Sequence, residues 1–204
     1  MTNWDQTLTT ETVEKTAMSL RDRGMTVAVV DTKAEALDWL KANIPAGAEV
    51  MTGSSTTLDE IGFSDFLKSE SSPWKNVQAN VWSEQDEGKR NDLRREANAS
   101  EYFLASANAI AQTGEIVSVD ATGSRVGAFL FTAKYLILVV GTQKITPSLD
   151  SAMQRIREYV LPLEDKRAQA AYGVGSATNK WVIIEREPTP GRITILFVNE
   201  KLGY

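Results

Sequence analysis

The chain has no cysteine and no histidine. Without cysteine it can form no disulfide, thiolate nucleophile, zinc–thiolate site or Cys-held iron–sulfur cluster. Without histidine it has no imidazole general base, no Ser-His-Asp arrangement and no His-ligated metal. Any catalysis falls to carboxylates, Lys, Arg, Tyr, hydroxyls or backbone donors, and the residues point to no metal and no cofactor. A basic stripe is missing too. The 22 Lys and Arg are outnumbered by 27 Asp and Glu, and the short basic runs "GKR" and "RR" sit beside acids. A chain that grips the nucleic-acid backbone is usually basic overall or along one face, so no nucleic-acid partner is expected. No apolar run reaches the ~18 residues of a membrane span. The opening "MTNWDQTLTTETVEK" is polar and acidic, the opposite of a secretory leader. These absences point to a cytoplasmic protein with no membrane partner.

What is present is ordinary globular composition, with 42% hydrophobic and 24% charged residues over 204 positions. That length can bury a full core in one α/β domain spanning 1–204, whose residues 1–24 read as an N-terminal helical segment. Apolar runs alternate with helical patterns. "TVAVV" (Thr26–Val30) reads as a buried strand. The helix after it has capping-box spacing at Thr32 and Glu35, an apolar stripe of Leu37, Leu40 and Ile44, and a stop at Pro45 and Gly47. "AEVMTG" is a second strand, and "LDEIGFSDFLKSE" reads as two helical turns broken near Gly62. Val77–Trp82 ("VQANVW") reads as a third strand. "SEQDEGKRNDLRREANASEYFLASANAI" reads as one long helical stretch that Ser83 can cap, its charged face solvated and laced with ion pairs.

Glu115–Val119 alternates between two glycine turns, which predicts a strand exposed on one face. "YLILVV" (Tyr135–Val140) is the most apolar run and the expected central strand. In "GTQKITPSLDSAMQRIREYVLP", Thr146 can cap a helix begun by Pro147, with Leu149, Met153, Ile156 and Val160 on one face. "KWVIIERE" and "GRITILFVNEKLGY" are two strands joined by "PTPG", a C-terminal β-hairpin. The whole predicts a three-layer fold, a mostly parallel open sheet with helices on both faces.

Two motifs draw attention. In "VMTGSSTTLDEIG", Gly53 lets a backbone approach an anion, while the hydroxyls of Ser54, Ser55 and Thr56 and the N–H groups that follow can donate to it. Thr56–Asp59 and Thr57–Glu60 also have capping-box spacing, so those groups can serve the helix instead. The turn lacks the Lys and spacing of a nucleoside-triphosphate loop. The second motif is "SANAIAQTGEIVSVDATGSR", carrying Asn108, Glu115, Asp120 and Arg125. Asp120 or Glu115 can act as a general base, and Arg125 can bind a carboxylate or phosphate through two bonds. An Asx-type turn at Asp120–Gly123 with a structural Asp–Arg pair fits the same residues. Lys144 in "GTQK" follows the most apolar strand, at the end where open α/β sheets bind ligands, or else is a solvated loop lysine. Trp39, Trp74, Trp82 and Trp181 are scattered and read as packing in the core or against helices, not as a base-stacking platform. The helix around Val13–Leu20 offers a face for a partner chain, including a second copy.

Taken with their order, these segments resemble the LUD (lactate utilization) domain family. The family's Ser-x-Asn-Ala-Ile, Gly, Asp-x-x-Gly-x-Arg and Gly-x-x-Lys-Ile pattern matches Ser106, Asn108, Ala109, Ile110, Gly114, Asp120, Gly123, Arg125, Gly141, Lys144 and Ile145. The turn matches at Gly53, Ser54, Thr56, Leu58, Glu60, Ile61 and Gly62, and the resemblance covers nearly the whole chain. It departs where many relatives carry cysteines. Here that stretch is "QAAYGVGSATNKW", so any redox or metal role tied to those cysteines is absent.

The resemblance implies a fold like the sugar-phosphate isomerase, CoA-transferase and folate cyclo-ligase group. It also implies binding of a small anionic metabolite in L-lactate utilization (lactate to pyruvate oxidation), beside iron–sulfur partner proteins. Two other readings stay open. One is an independent isomerase or acyl-transfer enzyme on a phosphorylated or CoA-linked substrate, with Glu115 as nucleophile as a glutamate is in CoA-transferases. The other is a non-catalytic assembly or regulatory subunit.

Overall fold

In the computed structural model, which describes residues 3–204 apart from the side chain of Tyr172, six parallel strands form the main sheet. These are β1 (Thr26–Val30), β2 (Glu49–Thr52), β3 (Lys75–Asn76), β4 (Tyr102–Ala105), β7 (Tyr135–Gly141) and β10 (Ile193–Val198), in the order β1-β10-β7-β4-β2-β3. A second, four-stranded sheet has β5 (Ala109–Ala111), β6 (Ile116–Asp120), β8 (Ile145–Thr146) and β9 (Lys180–Ile184) in the order β8-β5-β6-β9. The "YLILVV" strand is central as expected: β7 pairs with β10 on one side and β4 on the other.

Strand alternation divides the core. Leu136, Leu138 and Val140 of β7 join Ile193, Ile195 and Phe197 of β10 under one face, packed with Val13 and Leu20 of α1 (Thr10–Asp22). Ile137, Val139, Leu196 and Val198 point the other way, onto Leu40 of α2 (Lys33–Asn43), Leu58 of α3 (Thr56–Glu60) and Phe63 of α4 (Phe63–Lys68). Successive side chains on opposite faces, both buried, explain why these strands read as unbroken apolar runs. The Thr32–Glu35 capping box forms as its spacing predicts. Gly62, at φ 76°, breaks α3 from α4 in a left-handed conformation that costs glycine little.

Several expectations are corrected. Val77–Trp82 is no strand; it is helix α5 (Val77–Ser83), entered through the Asn76 side chain, which accepts the Ala79 N–H at 3.1 Å. Val77 and Val81, four apart, contact the core, while Trp82 is 52% exposed. That is helical burial, and what pairs with β2 on that side is the two-residue β3 before this helix. The long helix expected from Ser83 onward stops early. Asp86 caps α6 (Glu87–Ala97), and Ser83 ends α5. The following "YFLA" becomes β4, because a slot between β2 and β7 buries Phe103, Leu104 and Ala105 on both faces. Tertiary burial here overrides local helix preference.

β6 is not exposed on one face. Ile116 joins the α1 side of the core, and Val117 and Val119 pack on Ala152 of α7 (Leu149–Arg155) and on Ile156 and Val160 of the π-helical turn after it. Ser148, not Thr146, caps α7, and Pro147 precedes the cap. Helix α8 (Leu161–Tyr172) completes that outer layer. The C-terminal strands are present but make no hairpin: β9 pairs with β6 and β10 with β1 and β7, in different sheets.

Candidate functional site

Three neighbouring parallel strands end at one edge of the main sheet. Gly53 follows β2, Ser106 follows β4, and Lys144 follows β7 through a 3-10 turn (Thr142–Lys144). The small sheet brings Asn108, Asp120 and Arg125 to the same edge. Together they line a cleft of about 630 Å³. The carboxyl edge of a parallel sheet is where such folds leave room for ligands, since each strand hands over to a loop there. Arg90, Arg94, Arg125, Lys144 and Arg167 all line this cleft, in a chain whose net charge is −5.

Gly53, Ser54, Ser55 and Thr56 border the cleft. Ser55 also caps α3, accepting the Leu58 N–H at 3.4 Å, so this hydroxyl serves the helix. The cap of this helix is Ser55, not Thr56 or Thr57. Gly53 has a further role. A Cβ there would stand 3.2 Å from Cδ of Arg125, so the missing side chain gives the arginine its passage.

Arg125 donates from Nη2 to the Val119 carbonyl at 2.8 Å, and its Nε lies 3.6 Å from Asp120 Oδ2. The guanidinium sits over the Phe129 ring, 5.8 Å from its centroid. Asp120 is a poor candidate for a base. Its Oδ1 accepts from the Thr122 and Gly123 N–H groups at 2.9 and 2.7 Å, and its Oδ2 from the Arg125 N–H at 3.3 Å. Burial pushes its pKa up, but the Gly123 N–H, the Arg125 charge and the Thr122 donors outweigh this and hold it below the ordinary value. This is the Asx-type turn with an Asp–Arg pair. Asn108 also serves the scaffold: its Oδ1 accepts the Val119 N–H at 2.9 Å, and its carbonyl accepts from buried Arg155 at 2.7 Å.

Glu115 does not reach the cleft. It lies in the β5–β6 turn, where Arg23 Nη2 donates to it at 2.6 Å and Thr113 Oγ1 also donates. Desolvation there is outweighed by the Thr113, backbone and Arg23 contacts, and its pKa is lowered. A carboxylate held below its ordinary pKa, in an ion pair away from the cleft, is a brace between α1 and the small sheet.

Lys144 is no solvated loop lysine, being 2% exposed. Its Nζ lies 2.9 Å from Thr57 Oγ1 and 3.0 Å from Ser106 Oγ. Among the described residues no carboxylate lies within ion-pair distance of it. Burial, and then the charge of Arg155, push its pKa down to about 7.

The sequence reading passed over several residues of this site. Thr57 and Ser106 were visible only as motif positions, and nothing local marks them as partners of Lys144. Arg90 and Arg94 looked like a solvated helix face, yet they line the cleft with Trp82, over whose ring the Arg94 guanidinium stands at 5.9 Å. Glu164 of α8 and Tyr204 also line it, joined by a hydrogen bond from the Tyr204 hydroxyl. Among the described residues no group of His, Cys, Asp and Glu could hold a metal ion, and no helix is long and apolar enough to cross a membrane.

Comparison with known proteins agrees with this architecture. No curated protein matches the chain. Among solved structures, it is similar to a DUF162-family protein from Deinococcus radiodurans, with a TM-score of 0.58 at 11% identity, over 93% of this chain and 97% of that one. Identity that low speaks for the fold alone. The family model for the LUD domain matches residues 13–198. That span runs from α1 to the end of β10 and contains the Gly53 turn, the Asp120–Arg125 turn and Lys144: this chain belongs to the LUD domain family.

Proposed function

We propose that the cleft binds a small organic anion and that the protein takes part in L-lactate utilization, the process with which its family is associated. The observation that carries this reading is the convergence of Arg125, Lys144 and the Gly53–Thr56 turn on one cleft at the ends of β2, β4 and β7. A buried ammonium is costly without a counter-charge, and the ion-pair partner of Arg125, Asp120, is shared with the backbone donors of its own turn. An incoming carboxylate or phosphate supplies one, and in a site shielded from water that attraction is stronger than at the surface. The chain holds no cysteine, so electrons of lactate oxidation would pass through partner proteins, and iron–sulfur proteins are the proposed partners.

A thermal-shift panel of lactate, pyruvate, sugar phosphates, CoA esters and folates tests this. A ligand of the native state raises the melting temperature by mass action. The expected result is a rise with at least one anion that is lost in Arg125→Ala. No rise with any compound would favour the non-catalytic assembly reading.

The enzyme reading keeps one supporting observation, and it is not a carboxylate. With Glu115 outside the cleft and Asp120 saturated by donors, an isomerase or acyl-transfer activity would have to work through Lys144, whose amine is near half-neutral at pH 7.

A further inference from the structure

We propose that Lys144 forms an imine with an anionic aldehyde or ketone bound in the cleft. This rests on the reading of the cleft as an anion site and goes beyond it by naming a reactive atom and a substrate class. The argument begins with hydrogen positions. Thr57 donates its hydroxyl hydrogen to the Leu202 carbonyl at 3.3 Å, and Ser106 donates its own to the Ala107 carbonyl at 3.3 Å. Both hydroxyls therefore turn lone pairs toward Lys144, and Nζ must be the donor to each. A neutral amine has two N–H groups and one lone pair. Its two hydrogens meet the two acceptors, and its lone pair stays free at the cleft. A protonated amine has a third N–H, and among the described residues Nζ has hydrogen-bond contact with these two hydroxyls alone. Burial first, then the charge of Arg155, favour the neutral amine; the Glu60 charge opposes them, Arg125 adds to them, and the net is a pKa of about 7. An ordinary lysine is neutral in only roughly one molecule in a few thousand at that pH.

A lysine kept only for charge would have a carboxylate in ion-pair contact; this one, among the described residues, has two hydroxyls in contact and lines the cleft. In the step, the Nζ lone pair attacks the carbonyl carbon. The N–C bond forms as the carbonyl π electrons move to oxygen, and a proton from nitrogen passes to that oxygen. The carbinolamine then expels water, taking the second proton, and the C=N bond closes. Amine and carbonyl give imine and water, with no oxidant or reductant needed. The substrate's carboxylate or phosphate faces Arg125, which lines the same cleft.

The test is reductive trapping on the intact wild-type chain. Protein is mixed at pH 7 with pyruvate or with dihydroxyacetone phosphate, treated with cyanoborohydride, digested and mapped by mass spectrometry. The expected result is an adduct on Lys144 forming at least ten times faster than on exposed Lys68 or Lys89, suppressed by lactate or glycerol phosphate. The trapping rate should rise with a midpoint near pH 7, as the amine loses its proton. Adduct from pyruvate alone identifies a carboxylate substrate, and adduct from the phosphate alone a phosphorylated one. Lys144→Arg keeps a cation and should lose the adduct, and Arg125→Ala should raise the half-saturating concentration about tenfold. If neither compound labels Lys144 faster than the exposed lysines while either one still raises the melting temperature, the imine is wrong and the anion site stands. If there is neither labelling nor a thermal shift with these or any other anion, both fall.

Discussion

Gly53 and Arg125 touch across the cleft: a Cβ at Gly53 would stand 3.2 Å from Cδ of the arginine and 3.4 Å from its Cγ. The two motifs that looked separate along the chain are thus one object, since the backbone of the first sets the path of the cation in the second. Gly53→Ala should move the guanidinium by a few tenths of an ångström while changing stability by less than about 1 kcal/mol, as for substitutions that leave the core intact. Calorimetric titration with an anion that stabilises the wild type should show several-fold weaker binding. Unchanged affinity would mean that Arg125 does not contact the ligand.

Asp120 gives a pH-dependent prediction. Its folded-state pKa is lowered, so it contributes stability above the unfolded value of about 3.9 and loses it as pH falls through the folded value. Asp120→Asn should therefore cost about 1–3 kcal/mol at pH 7, where the Gly123 and Thr122 donors lose a charged acceptor. Urea melts of both proteins should converge as pH falls below about 4. A gap that stays constant down to pH 2 would show that the carboxylate charge is not what orders the turn.

Lys144 works in the opposite part of the scale. Its folded value is about 7, against roughly 10.4 unfolded. Below pH 7 both states carry the proton and the folded state bears the full cost of burying it. Between pH 7 and about 10.4 the folded state binds fewer protons, so stability rises with pH. Relative to Lys144→Met, the wild type should gain a few kcal/mol over that window. Denaturant midpoints of the two proteins from pH 6 to pH 10 measure the difference, and a flat difference would place the amine at an ordinary pKa.

Glu115 separates scaffold from site. Arg23 reaches it at 2.6 Å, with the two side chains 24% and 14% exposed, and Gly114 at φ 99° lets the Arg23 stem lie against the turn. Glu115→Gln should lower stability by about 1–3 kcal/mol through the lost charge-assisted bond. Ligand affinity and Lys144 trapping should stay within about twofold of wild type. Any large fall in either, with the melting curve corrected for, would return Glu115 to the site.

The structure also shows which residues could be read in advance. Thr32 and Glu35, Gly62 and the "YLILVV" strand came out as expected because each is governed by its immediate neighbours or by unbroken apolarity. Val77–Trp82 and Tyr102–Ala105 were misread in opposite directions for one reason. Both are short apolar runs, and such runs become helix or strand according to the slot that buries them. "VQANVW" meets the sheet on one side only and coils; "YFLA" fills the gap between β2 and β7 and extends. The expected hairpin failed likewise, because β9 and β10 each pair with other strands, in different sheets.

By itself the sequence determined the α/β class, the central strand, the Thr32–Glu35 cap and the residue types available for chemistry, since composition and short-range periodicity decide these. It also carried the ordered motifs of a LUD domain. Only the tertiary structure decided that Lys144 meets Thr57 and Ser106, that Gly53 admits Arg125, and that Glu115 stands apart. Those relations join segments distant in the chain, and they exist because parallel strands β2, β4 and β7 end side by side. No local pattern encodes that adjacency. It follows from which apolar faces find each other when the sheet assembles.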